Sequence, residues 1–195
     1  MDKGKELLKI AREIEACSLC KEWGLGKAVP GEGNPDAKIM FIGEAPGIEE
    51  SKTGRPFVGR SGSILRTMIR DIGLREENVY ITNTVKYLPK KGTPSKGNIA
   101  HSRTHFLKQL DIINPRLLVL LGSIACFAVL GRTVPITKEH GTVIDQEGRL
   151  YFITFHPAAA LRFPETKEEF IRDFQKLRTL LIKNKLLTPS SKVAQ

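Results

Sequence analysis

Cysteine is scarce in this chain, with three in 195 residues. That is too few for a disulfide framework, so the close pair Cys17-x-x-Cys20 points to metal or redox chemistry instead. No apolar run approaches the roughly 20 residues needed to cross a bilayer. The opening residues, MDKGKELLKIAREIEA, pattern as an amphipathic helix without a signal-peptide core or cleavage site, so a cytoplasmic location is expected. Internal repeats are absent, which excludes solenoid architectures. Acidic residues are in deficit, 21 against 31 Lys and Arg, giving a formal charge of +10 and a pI near 9.7. That balance suits a polyanionic partner, and equally a merely basic surface. With 41% hydrophobic residues the chain is expected to fold as a single domain over 1–195 with a sizeable core.

What is present alternates. Lys3 to Ala16 predicts a helix with Leu7, Leu8, Ile10, Ala11 and Ile14 on one stripe. Cys17 to Asp36, rich in Gly and Pro, reads as a long loop. Ala37 to Ile42 has the unbroken apolar character of a strand buried on both faces, stopped by Gly43 and Pro46-Gly47. The loop beyond it carries Glu44, Glu49, Glu50 and an exposed-looking Phe57, and closes at Ser61, an N-cap for a helix running to Gly73. Val79 to Tyr87 predicts a second strand containing Asn83, and Leu88 to Asn98 a basic surface loop. A helix from Ile99 to Ile113 and a strand from Arg116 to Leu121 follow. Gly122-Ser123 then opens a small-residue helix closed by Gly131, with Cys126 as an inert core residue. Val143–Asp145 and Arg149–Phe155 flank a turn at Gln146-Glu147-Gly148, and the second of them delivers His156. A helix from Lys167 to Asn184 ends the pattern, and the tail after Pro189 is expected to fray. Alternating strands and helices predict an α/β fold, a three-layer αβα sandwich around a central, mainly parallel, doubly wound sheet.

Three polar loops would then meet at the strands' carboxyl ends, where open α/β sheets bind ligands. They supply carboxylates, an aromatic plate at Phe57, a carboxamide at Asn83 and an imidazole at His156. That inventory fits a pocket for a flipped-out nucleobase, stacked on the ring and read along one edge by the amide. Each residue alone has an ordinary structural explanation.

Taken together, GEAPGIEE at Gly43, GRPFVGRSG at Gly54, TNTVK at Thr82 and HPAAALR at His156 resemble the successive motifs of the family 4 uracil-DNA glycosylases, in order and spacing. The resemblance runs from Cys17 to the last helix. It implies hydrolysis of the N-glycosidic bond of deoxyuridine in DNA, leaving an abasic site. By that likeness Phe57 would stack on uracil, Asn83 would pair with its N3 and O4 edge, and His156 would donate to O2 of the leaving base. Other branches of the superfamily carry Asp or Asn where this chain has Ala45, so Glu44 or Glu50 would have to orient the water, with Glu44 favoured. Leu161-Arg162 resembles the wedge that fills the gap left by the flipped base. Lys86, with Lys90, Lys91 and Lys96, would face phosphates. The expected partner is uracil-containing DNA, bound by a monomer that is nucleoid-associated through it.

The resemblance also implies a four-iron four-sulfur cluster on four cysteines. Cys17 and Cys20 match the early pair, whereas the third position is Tyr87 and the fourth falls on Ser102 or Arg103. The full cluster is therefore not expected. His101 and His105, spaced i, i+4, would complete a Cys2His2 zinc set with the cysteine pair. Three outcomes are open: no metal, with Tyr87 filling the space; an unusually ligated cluster; or zinc. The first is favoured. Two rival functions are a non-catalytic binder of uracil-containing or abasic DNA and a glycosylase acting on other deaminated bases.

Overall fold

A computed structural model describes residues 2–146 and 148–189. Helix α1 (Lys3–Ala16) has the expected bounds; the Asp2 carboxylate caps it by accepting from the Lys5 amide, and Ile10 and Ile14 are its buried residues. The segment read as loop from Cys17 to Asp36 holds a short helix, α2 (Ser18–Trp23), and two-residue strands β1 (Gly24–Leu25) and β2 (Glu32–Gly33). Strands this short have no periodicity to read, and their partners, Leu88–Pro89 and Tyr80–Ile81, lie 47 to 65 residues away.

Strand β3 (Ile39–Gly43) is buried at every position. Helix α3 (Ile48–Thr53), unmarked by any apolar stripe, interrupts the loop beyond it and ends at Gly54, whose φ of 79° is left-handed. Helix α4 (Arg60–Asp71) starts from Gly59, so Ser61 lies inside it and is not its cap. A 3₁₀ turn (Glu76–Asn78) leads to β4 (Tyr80–Asn83), shorter than the strand expected from Val79 to Tyr87. It ends because the Thr84 and Val85 amides turn to the Gly43 and Glu44 carbonyls, bending the chain over the end of β3.

After β5 (Leu88–Pro89), α5 (Lys96–Ile113) begins three residues earlier than expected. Ser95 and Asn98 cap each other's amides at 3.1 and 3.0 Å. Then come β6 (Leu117–Leu121), α6 (Ser123–Leu130), a single turn α7 (Ile136–Glu139), and the antiparallel pair β7 (Val143–Gln146) and β8 (Arg149–Thr154). Helices α8 (Pro157–Arg162) and α9 (Pro164–Lys183) follow, each opened by a proline at its first position. The fraying expected of the tail concerns residues 190–195, which lie outside the described residues, as does Glu147, on which the expected turn is centred.

Among the described residues the main sheet has the order β2-β4-β3-β6-β8-β7. Its four inner strands are parallel, and each edge strand is antiparallel to its neighbour. Side chains alternate across it. Ile39, Phe41, Ile81, Val119 and Phe152 pack on one face with Leu65 and Ile69 of α4 and Phe170, Phe174 and Leu177 of α9. Met40, Ile42, Tyr80, Leu118, Leu120 and Ile153 pack on the other with Phe106 and Leu110 of α5 and Ala125 and Cys126 of α6. These are the three layers the alternation of strands and helices predicts. No described helix is long and apolar enough to cross a membrane.

Candidate functional site

Because β3, β4 and β8 run parallel and in register, with Gly43 beside Asn83, their carboxyl ends deliver Glu44, Asn83 and His156 to one edge of the sheet. There they line a cavity of about 340 Å³ with Ala45, Pro46, Gly47, Glu50 and Phe57, toward the small end of small-molecule sites. The loops expected to converge therefore do so. Ser61 and Ala158, which fall inside the motifs, and Leu88, which does not, also line it; none of the three was singled out as a site residue.

Asn83 is 2% exposed, and its Oδ1 has no hydrogen-bond partner among the described residues. A buried amide oxygen left unpaired costs about 1–3 kcal/mol, so the position asks for a ligand donor. A Cβ on Gly43 would strike Asn83 Oδ1 and come within 2.5 Å of Phe57 Cζ. Glycine is what lets the amide and the ring close on each other.

Phe57 is not the exposed residue its loop suggested, being 4% exposed and part of the core beneath the sheet edge. Its φ of 52° is strained for a non-glycine residue. The surroundings fix that conformation. Arg66 Nε donates to the Phe57 carbonyl at 2.9 Å and Arg66 Nη2 to the Pro56 carbonyl at 2.8 Å. The same guanidinium is anchored by Glu32 at 2.6 Å and by Glu76. Sequence reading missed this clamp, because Glu32, Arg66 and Glu76 share no motif and meet only in the fold.

The two candidate carboxylates differ. Glu50 Oε1 accepts from the Val58 and Gly59 amides, both at 2.8 Å, and Oε2 from the Gly47 amide at 3.1 Å. It is spent on shaping the loop between α3 and α4. Glu44 is half-buried, its carboxylate makes no hydrogen bond to a described residue, and burial raises its pKa above the usual carboxylate value.

His156 Nδ1 accepts the Ala158 amide at 3.2 Å, which places the proton of the neutral ring on Nε2. Burial pulls its pKa down to about 4, against a slight opposing pull from Glu50, so the ring is neutral at physiological pH. Its centroid lies 6.1 Å from that of Phe57. On α8 just beyond, Leu161 is 40% exposed; Arg162 and Phe163 are exposed as well.

Lys86 does not face phosphates. It is fully buried, and its Nζ donates to Thr82 Oγ1, the Asn83 carbonyl and Gln109 Oε1, each at 2.7 Å, and to the Pro30 carbonyl at 3.2 Å. Burial lowers its pKa to about 7. The turn after β4 points this side chain inward to a cage of oxygens, a placement its residue type could not signal. Lys90, Lys91 and Lys96 are exposed, as expected.

Away from this pocket, Cys17, Cys20, His101 and His105 come together with one ligand atom from each lying within 4.8 Å of all the others. Tyr87 packs against Cys20 and its hydroxyl donates to the Ile14 carbonyl at 3.4 Å. Cys126 is buried in the α5–α6 layer, as expected.

Comparisons with known proteins agree with this geometry. The family described as "Uracil DNA glycosylase superfamily" matches residues 30–178. The chain is 41% identical over 193 residues to the type-4 uracil-DNA glycosylase of Sulfurisphaera tokodaii, covering 93% of this chain and 88% of that one. It is also 41% identical over 186 residues to the type-4 uracil-DNA glycosylase of Thermotoga maritima, covering 92% and 97%. A type-5 enzyme of Pyrobaculum aerophilum is 30% identical over 151 residues, covering 68% and 66%. With about three-quarters of its length matched to the family and nearly all of it to type-4 members, this chain belongs to the uracil-DNA glycosylase superfamily, within its type-4 branch.

Proposed function

We propose that the protein is a monofunctional uracil-DNA glycosylase of DNA repair. The observation that carries this reading is the unpaired Oδ1 of buried Asn83 in a cavity rimmed by Phe57, His156 and Glu44. In that cavity Oδ1 accepts from N3–H of an extruded uracil while Nδ2 donates to O4. Cytosine presents an acceptor at N3 and a donor at C4, leaving both contacts mismatched. Phe57 supplies the apolar face for the ring.

As the N1–C1′ bond breaks, its electron pair passes to the base and gathers on O2. The Nε2–H of neutral His156 donates to that oxygen, stabilising the departing anion without giving up its proton. Glu44 accepts a proton from water as its oxygen bonds to C1′, and Ala45 contributes only the wall beside it. Leu161 enters the stack left by the flipped nucleotide, and Arg162, Lys90, Lys91 and Lys96 meet the backbone. We infer a monomer acting on DNA in the cytoplasm, nucleoid-associated through that substrate.

The four-iron four-sulfur cluster implied by the resemblance does not fit the residues present. Two of its four positions are a packed tyrosine and Ser102 or Arg103, and Cys126 is held in another layer. No step of this mechanism passes through it.

Incubation with oligonucleotides carrying uracil, hypoxanthine or thymine opposite guanine, followed by alkaline cleavage, tests the function. Strand scission at uracil without added cofactor is expected. Binding without scission would favour the non-catalytic reading, and scission mainly at hypoxanthine or thymine would overturn the assigned base.

A further inference from the structure

Helix α5 brings His101 and His105, one turn apart, against the α1–α2 junction, where Cys17 caps α2 and Cys20 lies within it. Cys17 Sγ and His101 Nε2 are 3.1 Å apart, and the four ligand atoms all fall within 4.8 Å of one another. A tetrahedral ion with bonds of about 2.3 Å to sulfur and about 2.0 Å to nitrogen would hold such atoms about 3.3–3.8 Å apart.

The ordinary explanation is a Cys–His hydrogen bond with His105 packed beside it. His105 does not support that explanation. It is 8% exposed, and neither of its ring nitrogens has a hydrogen-bond partner among the described residues. A buried imidazole can leave one nitrogen poorly paired at some cost, but here both are unpaired and one of them lies within 4.8 Å of two thiols and a second imidazole, open to a shared ligand. The Trp23 and His101 rings meet edge to face beside the group, 5.4 Å between centroids.

We propose that Cys17, Cys20, His101 and His105 bind one zinc ion in a closed Cys2His2 site, in place of the cluster whose other two thiolates this chain lacks. Two thiolates and two imidazoles suit zinc, while calcium and magnesium take oxygen donors. Four protein ligands leave no open position, so the ion is structural and ties the α1–α2 junction to α5. Gln109 on that helix holds Lys86, and Lys86 holds the carbonyl of Asn83. The ion thus steadies the element behind the reading residue without touching substrate.

Elemental and acid-labile sulfide analysis of the purified chain tests this directly. About one zinc per chain, without stoichiometric iron or sulfide, is expected. Stoichiometric iron and sulfide, or a chain that takes up no zinc when it is supplied, overturns the proposal. Protein expressed in cobalt-supplemented medium should show the intense visible bands of tetrahedral cobalt with thiolate charge transfer; a weak octahedral spectrum would contradict it. His105→Ala should lower cobalt affinity by more than about 100-fold, His105→Cys should keep a metal with a shifted spectrum, and Cys126→Ala should leave the site intact. Unchanged affinity in His105→Ala, or loss of metal in Cys126→Ala with the fold retained, refutes the ligand set.

Discussion

His156 faces the cavity as a neutral imidazole whose proton position is set by one backbone amide, that of Ala158. His156→Ala should therefore lower the single-turnover excision rate by about 100-fold or more, the usual loss when one donor to a developing anion is removed. Affinity for uracil-containing DNA should change far less; an equal loss in both would make the residue a docking contact. Glu44 gives a pH signature. Its pKa lies above the ordinary carboxylate value and that of His156 near 4, so on acidification Glu44 protonates first and loses its hold on water. The acid limb of the rate profile should lie above the ordinary glutamate value, and Glu44→Gln should remove the limb together with most of the rate. Glu50→Gln should act differently, turning one oxygen into an NH2 group among three amide donors and lowering the melting temperature. A profile whose limb survives Glu44→Gln but shifts with Glu50→Gln would exchange the two roles. In stability, the buried His156 favours the fold most above pH 6.5, and that contribution is lost as pH falls toward about 4, because the unfolded chain takes the proton first.

At the scale of elements, what was legible was what periodicity and punctuation encode. The buried strands β3 and β6, the helix closed by Gly131 and the stripe of α9 could be read because consecutive residues specify them. Helix α3 could not, because its six residues carry no apolar stripe, nor could strands β1 and β2 and the inward turn after Asn83, because each of these is held by partners distant in sequence. Lys86 illustrates the limit: a lysine in a basic segment reads as a phosphate contact, whereas its four acceptors come from three separate segments of the chain. Lys86→Met should keep much of the side chain's volume but strand those oxygens, lowering unfolding free energy by at least about 3 kcal/mol in urea titrations. The salt dependence of DNA binding by the folded variant should stay unchanged, while Lys91→Ala should flatten its slope by about one. If Lys86→Met instead flattened the slope with stability intact, the lysine would reach DNA after all. Asn83 and His156 lie at strand ends, as expected, because a polar residue at the end of an apolar strand is visible in sequence. The Arg66 clamp on Phe57 was not, since it joins three elements.

For the molecule as a whole, parallel strands gather their carboxyl ends on one edge of the sheet, and the net charge of +10 suits a polyanionic substrate. The layers behind the edge hold Asn83 in place with its amide oxygen unspent. Discrimination of the base therefore depends on this residue. Single-turnover excision of uracil from a uracil–guanine oligonucleotide by the wild type and by Asn83→Ala, with folding of the variant verified, measures it most directly. The wild type should release uracil and the variant should be slower by at least about 100-fold, roughly 2.7 kcal/mol, while still binding DNA. An Asn83→Ala variant that is folded and excises uracil at the wild-type rate would contradict the account.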